Sequence, residues 1–221
     1  MTDEELSRCL FARKFDTERA AELFASWRQM QVDHGFRFGS IRYGDIEREL
    51  RFAKATFFGT RDYNGAALIS FKSVFHDPRT SKKEDVFRLL MFLIDLALRD
   101  VETQRHGIAM VLDARGMRWK NVDVDMEKLV MASLDRLPVR VRAIYVVHPP
   151  VVMKAMIALM KPFMKPKMRK RMRFIKDVNN LDEFIPAREA LPRDLGGRLA
   201  FDYYGWLDKF QAGSLLVPPA C

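Results

Sequence analysis

A chain of 221 residues, 48% hydrophobic and 30% charged, can bury one substantial core and is too apolar for a disordered chain. Its two cysteines, Cys9 and Cys221, exclude a disulfide scaffold and a cysteine zinc site and fit a reducing compartment. The 38 basic and 29 acidic side chains leave a net charge of +9. Nine of the basic residues (Lys154, Lys161, Lys165, Lys167, Arg169, Lys170, Arg171, Arg173 and Lys176) fall between Met153 and Lys176 with no acid among them.

The opening MTDEELSRCLF is acidic and polar, unlike a secretory signal, and Thr2 to Glu5 reads as a helix start. Asp16 or Thr17 caps a second helix carrying Ala20, Leu23, Phe24 and Trp27, so two short helices joined near Phe15 are expected. Gly35, Gly39 and Gly44 mark a loop, and Asp45 to Phe52 a further helical turn. Ala55 to Phe58 and Ala66 to Val74 favour strands around the turn Asp62-Tyr63-Asn64-Gly65. Ser81 with Glu84 three residues on is a capping-box pattern. The helix it introduces, Val86 to Leu98, is apolar around most of its circumference and must be buried or line a cavity.

Gly107 to Leu112, closing on Asp113, reads as a central strand, Met126 to Leu137 as an amphipathic helix stopped by Pro138, and Val141 to Val147 as a second buried strand. Helix follows strand twice, the mark of an α/β sheet with at least two parallel strands. Val151 to Met160 is helical up to the break at Pro162, and Pro166 opens a helix through Arg173. Phe174 to Val178 follows as an edge strand, Leu181 to Ile185 as one helical turn and Leu191 to Gly197 as a loop; Phe201 to Cys221 takes no assignment. The most apolar stretch, Ala143 to Met160, is interrupted by His148, Pro149, Pro150 and Lys154 and falls short of the roughly 20 apolar residues that span a bilayer. Any membrane contact is therefore peripheral.

Catalytic spacings are missing: there is no G-x-S-x-G, P-loop, G-x-G-x-x-G or H-E-x-x-H. His76-Asp77 reads as a turn pair, Asp123 as a helix cap and Asp113 as a structural hydrogen-bonding group. No catalytic residue, metal site or cofactor is expected. Between Met153 and Lys176, Met153, Met156, Met160, Met164, Met168 and Met172 recur at intervals of three or four, so one side of a helical path is apolar and flexible while the rest is basic. Three uses fit such a segment: a core helix with a solvated charged face, a surface helix on anionic lipid, or a nucleic-acid contact. Against nucleic acid, Phe163 and Phe174 are the only aromatics beside the basic run, too few for a stacking platform.

The chain resembles the CRAL-TRIO lipid-binding family, in particular its tocopherol-transfer and retinaldehyde-binding branch. The resemblance is carried by Leu10-Phe11-Ala12-Arg13-Lys14-Phe15-Asp16 with Ala20-Ala21, by His76-Asp77-Pro78 and Asp85-Val86-Phe87-Arg88, and by Val101 to Ile108. Pro138 to Arg142 with Ile144 to Val147, Lys161-Pro162-Phe163, and Leu191-Pro192 with Gly196-Gly197 continue it in order. It implies an α/β fold in which a mixed sheet floors an apolar pocket for one lipid, such as a tocopherol, retinoid or phospholipid. The pocket is closed by a gate helix from Pro150 to about Arg171. A reduced N-terminal helical lobe (residues 1–45) would precede the lipid-binding domain (46–210) and a tail (211–221). By this resemblance Phe87, Leu90, Ile94, Ile108 and Leu112 line the pocket together with Ile144, Val146, Val151, Val152 and Met156. Arg140, Arg142, Lys167 and Arg171 read a phosphoinositide headgroup.

The function implied is that of a soluble, monomeric, non-enzymatic carrier that binds no nucleic acid. It would be cytoplasmic and exchange its lipid on peripheral contact with endosomal or other internal membranes. The alternative is a phosphoinositide-sensing module that moves no lipid. Leu90 and Ile94 are apolar where tocopherol binders carry hydroxyls, so neither can satisfy a buried ligand hydroxyl, an omission that costs about 1 to 3 kcal/mol.

Overall fold

A computed structural model of the chain describes residues 2–212. Five strands form one sheet in the order β1 (Ala55–Arg61), β2 (Ala67–Lys72), β3 (Ile108–Asp113), β4 (Val141–Val147) and β5 (Met172–Ile175). β1 and β2 are antiparallel and every later pair is parallel, with Met110 opposite Ile69 on one side and Ile144 on the other. The β1–β2 turn closes because the Asp62 carboxylate accepts the backbone N–H groups of Asn64 and Ala66, with Gly65 at φ 78°. The helices are α1 (Asp3–Ala12), α2 (Thr17–Asp33), α3 (Tyr43–Arg51), α4 (Lys83–Ala97) and α5 (Val101–His106), then α6 (Val124–Ser133), α7 (Val151–Met160), α8 (Pro166–Arg171), α9 (Ala187–Ala190) and α10 (Tyr203–Gln211).

Strands that follow one another in space as in sequence send all their parallel crossovers to one face, because the crossovers share one hand. α4, α6, α7 and α8 therefore crowd one side of the sheet, and the strands show it residue by residue. Ala67, Ile69, Ile108, Met110, Ile144 and Val146 point to the helices. Their neighbours Leu68, Ala109, Val111, Tyr145 and Val147 face a second core closed by Leu181, Ile185, Leu191 and Leu195.

At the N-terminus a full capping box joins Thr2 and Glu5, and Asp16 caps α2. The Arg8 guanidinium donates to the buried Asp95 carboxylate at 2.9 Å and ties α1 to α4. Trp27, Met30 and Phe36 pack in the same core as α4. The boundary expected after residue 45 falls inside α3, so no physical break separates a lobe there.

Four local expectations shift. Gly44 lies in the first turn of α3 rather than in a loop. Ser81 does not cap α4, which begins after Lys82; its hydroxyl accepts from the Lys54 ammonium, which also pairs with Glu49, all three groups buried. The helix opened by Pro166 ends at Arg171, because pairing with β4 starts at Met172 and claims the chain two residues before Phe174. The aromatic start of the tail forms α10, where Phe210 stacks on Phe92 of α4 at 4.5 Å. Residues 213–221, including Cys221, lie outside the described residues.

Candidate functional site: a methionine-walled cavity beside a cationic cluster

The helix face of the sheet encloses a cavity of about 70 Å³. Its floor is Phe71 of β2, Met110 and Leu112 of β3 and Ile144 of β4. Val86 and Leu90 of α4 form one wall, Met126, Glu127, Val130 and Met131 of α6 another, and Met153, Met156, Ile157 and Met160 of α7 the roof, with Met164 and Met172 completing the rim. Eight of the 13 methionines in the chain meet here. Unbranched thioethers fill irregular space and rearrange readily, so such a wall can be packed at one moment and open at another.

Of the residues expected to line the pocket, the structure brings Leu90, Leu112, Ile144 and Met156 to the cavity. Ile94 and Ile108 are fully buried one helical turn and one strand pair away, in core that is packed solid. Val146 and Val152 belong to the same core without reaching the cavity wall. Phe87 turns from the cavity toward the N-terminal helices, packing against Phe36 at 5.9 Å and His34 at 5.1 Å between ring centroids. Val151 is 80% exposed: α7 buries Val152, Met153, Met156, Ile157 and Met160, and position 151 falls on the opposite side of that stripe. Sequence reading missed the contribution of α6 altogether, although Val130 and Met131 stand three and four residues after Glu127 on one helical face. Glu127 is half-buried and is pushed up to about 7 by burial first and by the nearby Asp123 carboxylate second.

The four expected headgroup residues meet at the opposite end of α8 from its proline. Arg140 and Arg142 open β4, and the pairing of Ile144 with Met172 places Arg171 beside that strand start. Desolvation and then Arg142 and Arg171 hold the Arg140 guanidinium below the usual arginine value; Arg171 is lowered by burial and then by Arg142. Lys167 is lowered chiefly by Arg171, then by desolvation and by Arg13 and Arg19 of the N-terminal helices. Like charges that depress one another in this way form one positive surface, and Arg13 and Arg19 extend it beyond the residues found by sequence. The acid nearest this group is Asp135, whose carboxylate is bound to Lys165 at 2.7 Å and whose carbonyl accepts from Arg13 at 3.0 Å. Beside the cations Leu159, Phe163 and Phe174 stand exposed.

The polar groups weighed for chemistry are occupied. His76 is buried and pairs with Asp123 at 3.2 Å rather than with Asp77, whose carboxylate is bound to Arg79. Asp113 accepts from the Arg115 backbone and guanidinium. Among the described residues no group of three or more His, Cys, Asp and Glu could hold a metal ion, and no helix is long and apolar enough to cross a membrane.

Residues 51–197 match the CRAL/TRIO domain. Tyrosine-protein phosphatase non-receptor type 9 of Homo sapiens is 31% identical over 202 residues, 91% of this chain and 34% of that protein. Alpha-tocopherol transfer protein-like of Homo sapiens is 26% identical over 203 residues, 89% of this chain and 59% of that protein. The chain thus spans about a third of the phosphatase, through its CRAL/TRIO domain, and under two thirds of the transfer protein-like relative. The crystal structure of Sfh5 superposes with a TM-score of 0.63 at 17% identity, covering 90% of this chain and 72% of that one, and shares the fold. A parallel sheet with its crossovers on one face, the methionine-walled cavity beneath them and the match across residues 51–197 lead to one assignment: the chain belongs to the CRAL/TRIO domain family.

Proposed function

We propose that the chain is a carrier that holds one hydrophobic lipid in the methionine-walled cavity and exchanges it at phosphoinositide-containing membranes. The observation that carries this reading is the continuity of α7 into α8. The roof of the cavity and the cationic surface are one run of backbone, with only Lys161–Phe163 and two more residues between them. At about 70 Å³ the cavity is several-fold smaller than the roughly 300 to 1,000 Å³ of sites that enclose drug-sized ligands, so loading requires α7 to lift. Burial of a lipid chain contributes about 0.8 kcal/mol per CH₂, enough to offset the lost roof contacts.

Arg140, Arg142, Lys167 and Arg171 meet the headgroup while Leu159, Phe163 and Phe174 enter the interface. Headgroup binding promotes release only in so far as it favours the lifted roof over the closed one. Support comes from the lipid-binding character of the family and from the transfer protein-like relative.

A vesicle-to-vesicle transfer assay tests the coupling. With Lys167→Glu and Arg171→Glu together, transfer to phosphoinositide vesicles should fall by roughly 30-fold or more, from about 1 kcal/mol per cation lost. Unchanged transfer would mean that the cationic cluster takes no part.

A further inference from the structure

Sixteen residues wall the cavity, and fifteen of them are apolar; the other is Glu127. Its placement is set by the helix: it shares a face with Val130 and Met131, while Asp125 and Lys128, one residue to either side of that face, are exposed. No hydrogen bond contributes to its ionisation; burial dominates, with Asp123 adding to the negative field. The nearby groups leave it without a counter-charge. Asp123 is engaged with His76, and Lys128 lies over the Phe163 ring at 5.2 Å. A carboxyl in such a wall costs stability that a leucine would not, and holding an alkyl chain does not call for it.

We propose that Glu127 anchors the polar end of the bound lipid and selects lipids that end in a hydrogen-bond donor, a hydroxyl or an amine, against those that end in a carboxylate. A carboxylate oxygen accepts from either donor, and an ammonium also supplies the missing positive charge. A second carboxylate placed there must either take up a proton or face two like charges in an apolar site. The inference rests on the cavity being the lipid site, and it supplies the polar partner that Leu90 and Ile94 lack.

The test is direct binding at pH 7.4 of radiolabelled hexadecan-1-ol, hexadecylamine and hexadecanoic acid to the delipidated chain and to its Glu127→Gln and Glu127→Met variants. Circular dichroism checks the fold of each. The wild-type chain should bind the alcohol and the amine about ten-fold or more tighter than the acid, from one charge-assisted hydrogen bond. Glu127→Gln should cost the amine about ten-fold and improve the acid, and Glu127→Met should weaken the alcohol as well. Equal binding of all three by the wild type, or an order unchanged by both variants, overturns the role of Glu127 and leaves the lipid site standing. Binding of none of the three overturns the lipid site and the role of Glu127 together.

Discussion

The two faces of the sheet are built from alternate residues of the same strands, yet they are packed with different materials. The helix face carries ten buried methionines, Met30, Met91, Met110, Met117, Met126, Met153, Met156, Met160, Met164 and Met168, and it holds the cavity. The opposite face is Leu, Ile, Val, Ala and aromatic, with no methionine among its described residues. Branched and aromatic side chains lock into few rotamers and fix the strands, whereas thioethers rearrange at low cost. One sheet thereby presents a rigid back and a deformable front, and the lipid site lies on the front.

Substitution should separate the two faces. Leu68→Ala, on the rigid face with no exposed surface, should lower the unfolding free energy by about 3 kcal/mol in urea titration, since its neighbours cannot collapse into the hole. Lipid binding by the folded fraction should persist. Met156→Ala, on the cavity wall, should cost less, about 2 kcal/mol or under, because flexible neighbours relax into a space already present. An equal loss at both positions would erase the distinction between the faces.

Glu127 sharpens the comparison through pH. Its folded pKa of about 7 lies above the ordinary 4.5, so the native state keeps a proton that the unfolded chain has released. Stability contributed by the protonated acid is present below about pH 4.5 and is lost as pH rises through 7. The buried His76 acts in the opposite sense: its pKa is lowered, first by desolvation, so neutral pH favours its native form. Comparing wild type with Glu127→Gln cancels the histidine. The variant should match wild type near pH 4.5 and exceed it at pH 8 in thermal melts, and a constant difference across that range would show that Glu127 ionises freely. The smallest effect belongs to the surface. Lys167→Ala should weaken partition onto phosphoinositide vesicles by about 1 kcal/mol, or roughly five-fold, in a sedimentation assay, with the difference shrinking as salt is raised.

Much of this was legible from residue order. The alternation of strands and helices, the fully apolar α4 and the break at Pro162 follow from periodicity and proline chemistry. The methionine spacing marked Met153, Met156, Met160 and Met164 as one face, which became the roof and rim. Val151 shows where a resemblance outran that periodicity: it is out of phase with the buried stripe of α7, and it faces solvent. Glu127 escaped because an acid in an amphipathic helix ordinarily marks the wet face, and only the packing of α6 over β3 and β4 shows that its face is the cavity. The cationic cluster depends on the β4–β5 register, which brings Arg171 beside residues some 30 positions earlier in the chain. No local pattern encodes that register, and the same pairing cut short the helix that Pro166 opens.

Native mass spectrometry of the wild-type chain and of Met156→Trp, purified without detergent, tests the central claim most directly. The account predicts one hydrophobic lipid per wild-type chain and its loss from the variant, whose indole fills the cavity while circular dichroism stays native. A wild-type chain that carries no lipid, even after incubation with a lipid extract, or a variant that retains it at the same stoichiometry, would contradict the assignment of the methionine-walled cavity as the lipid site.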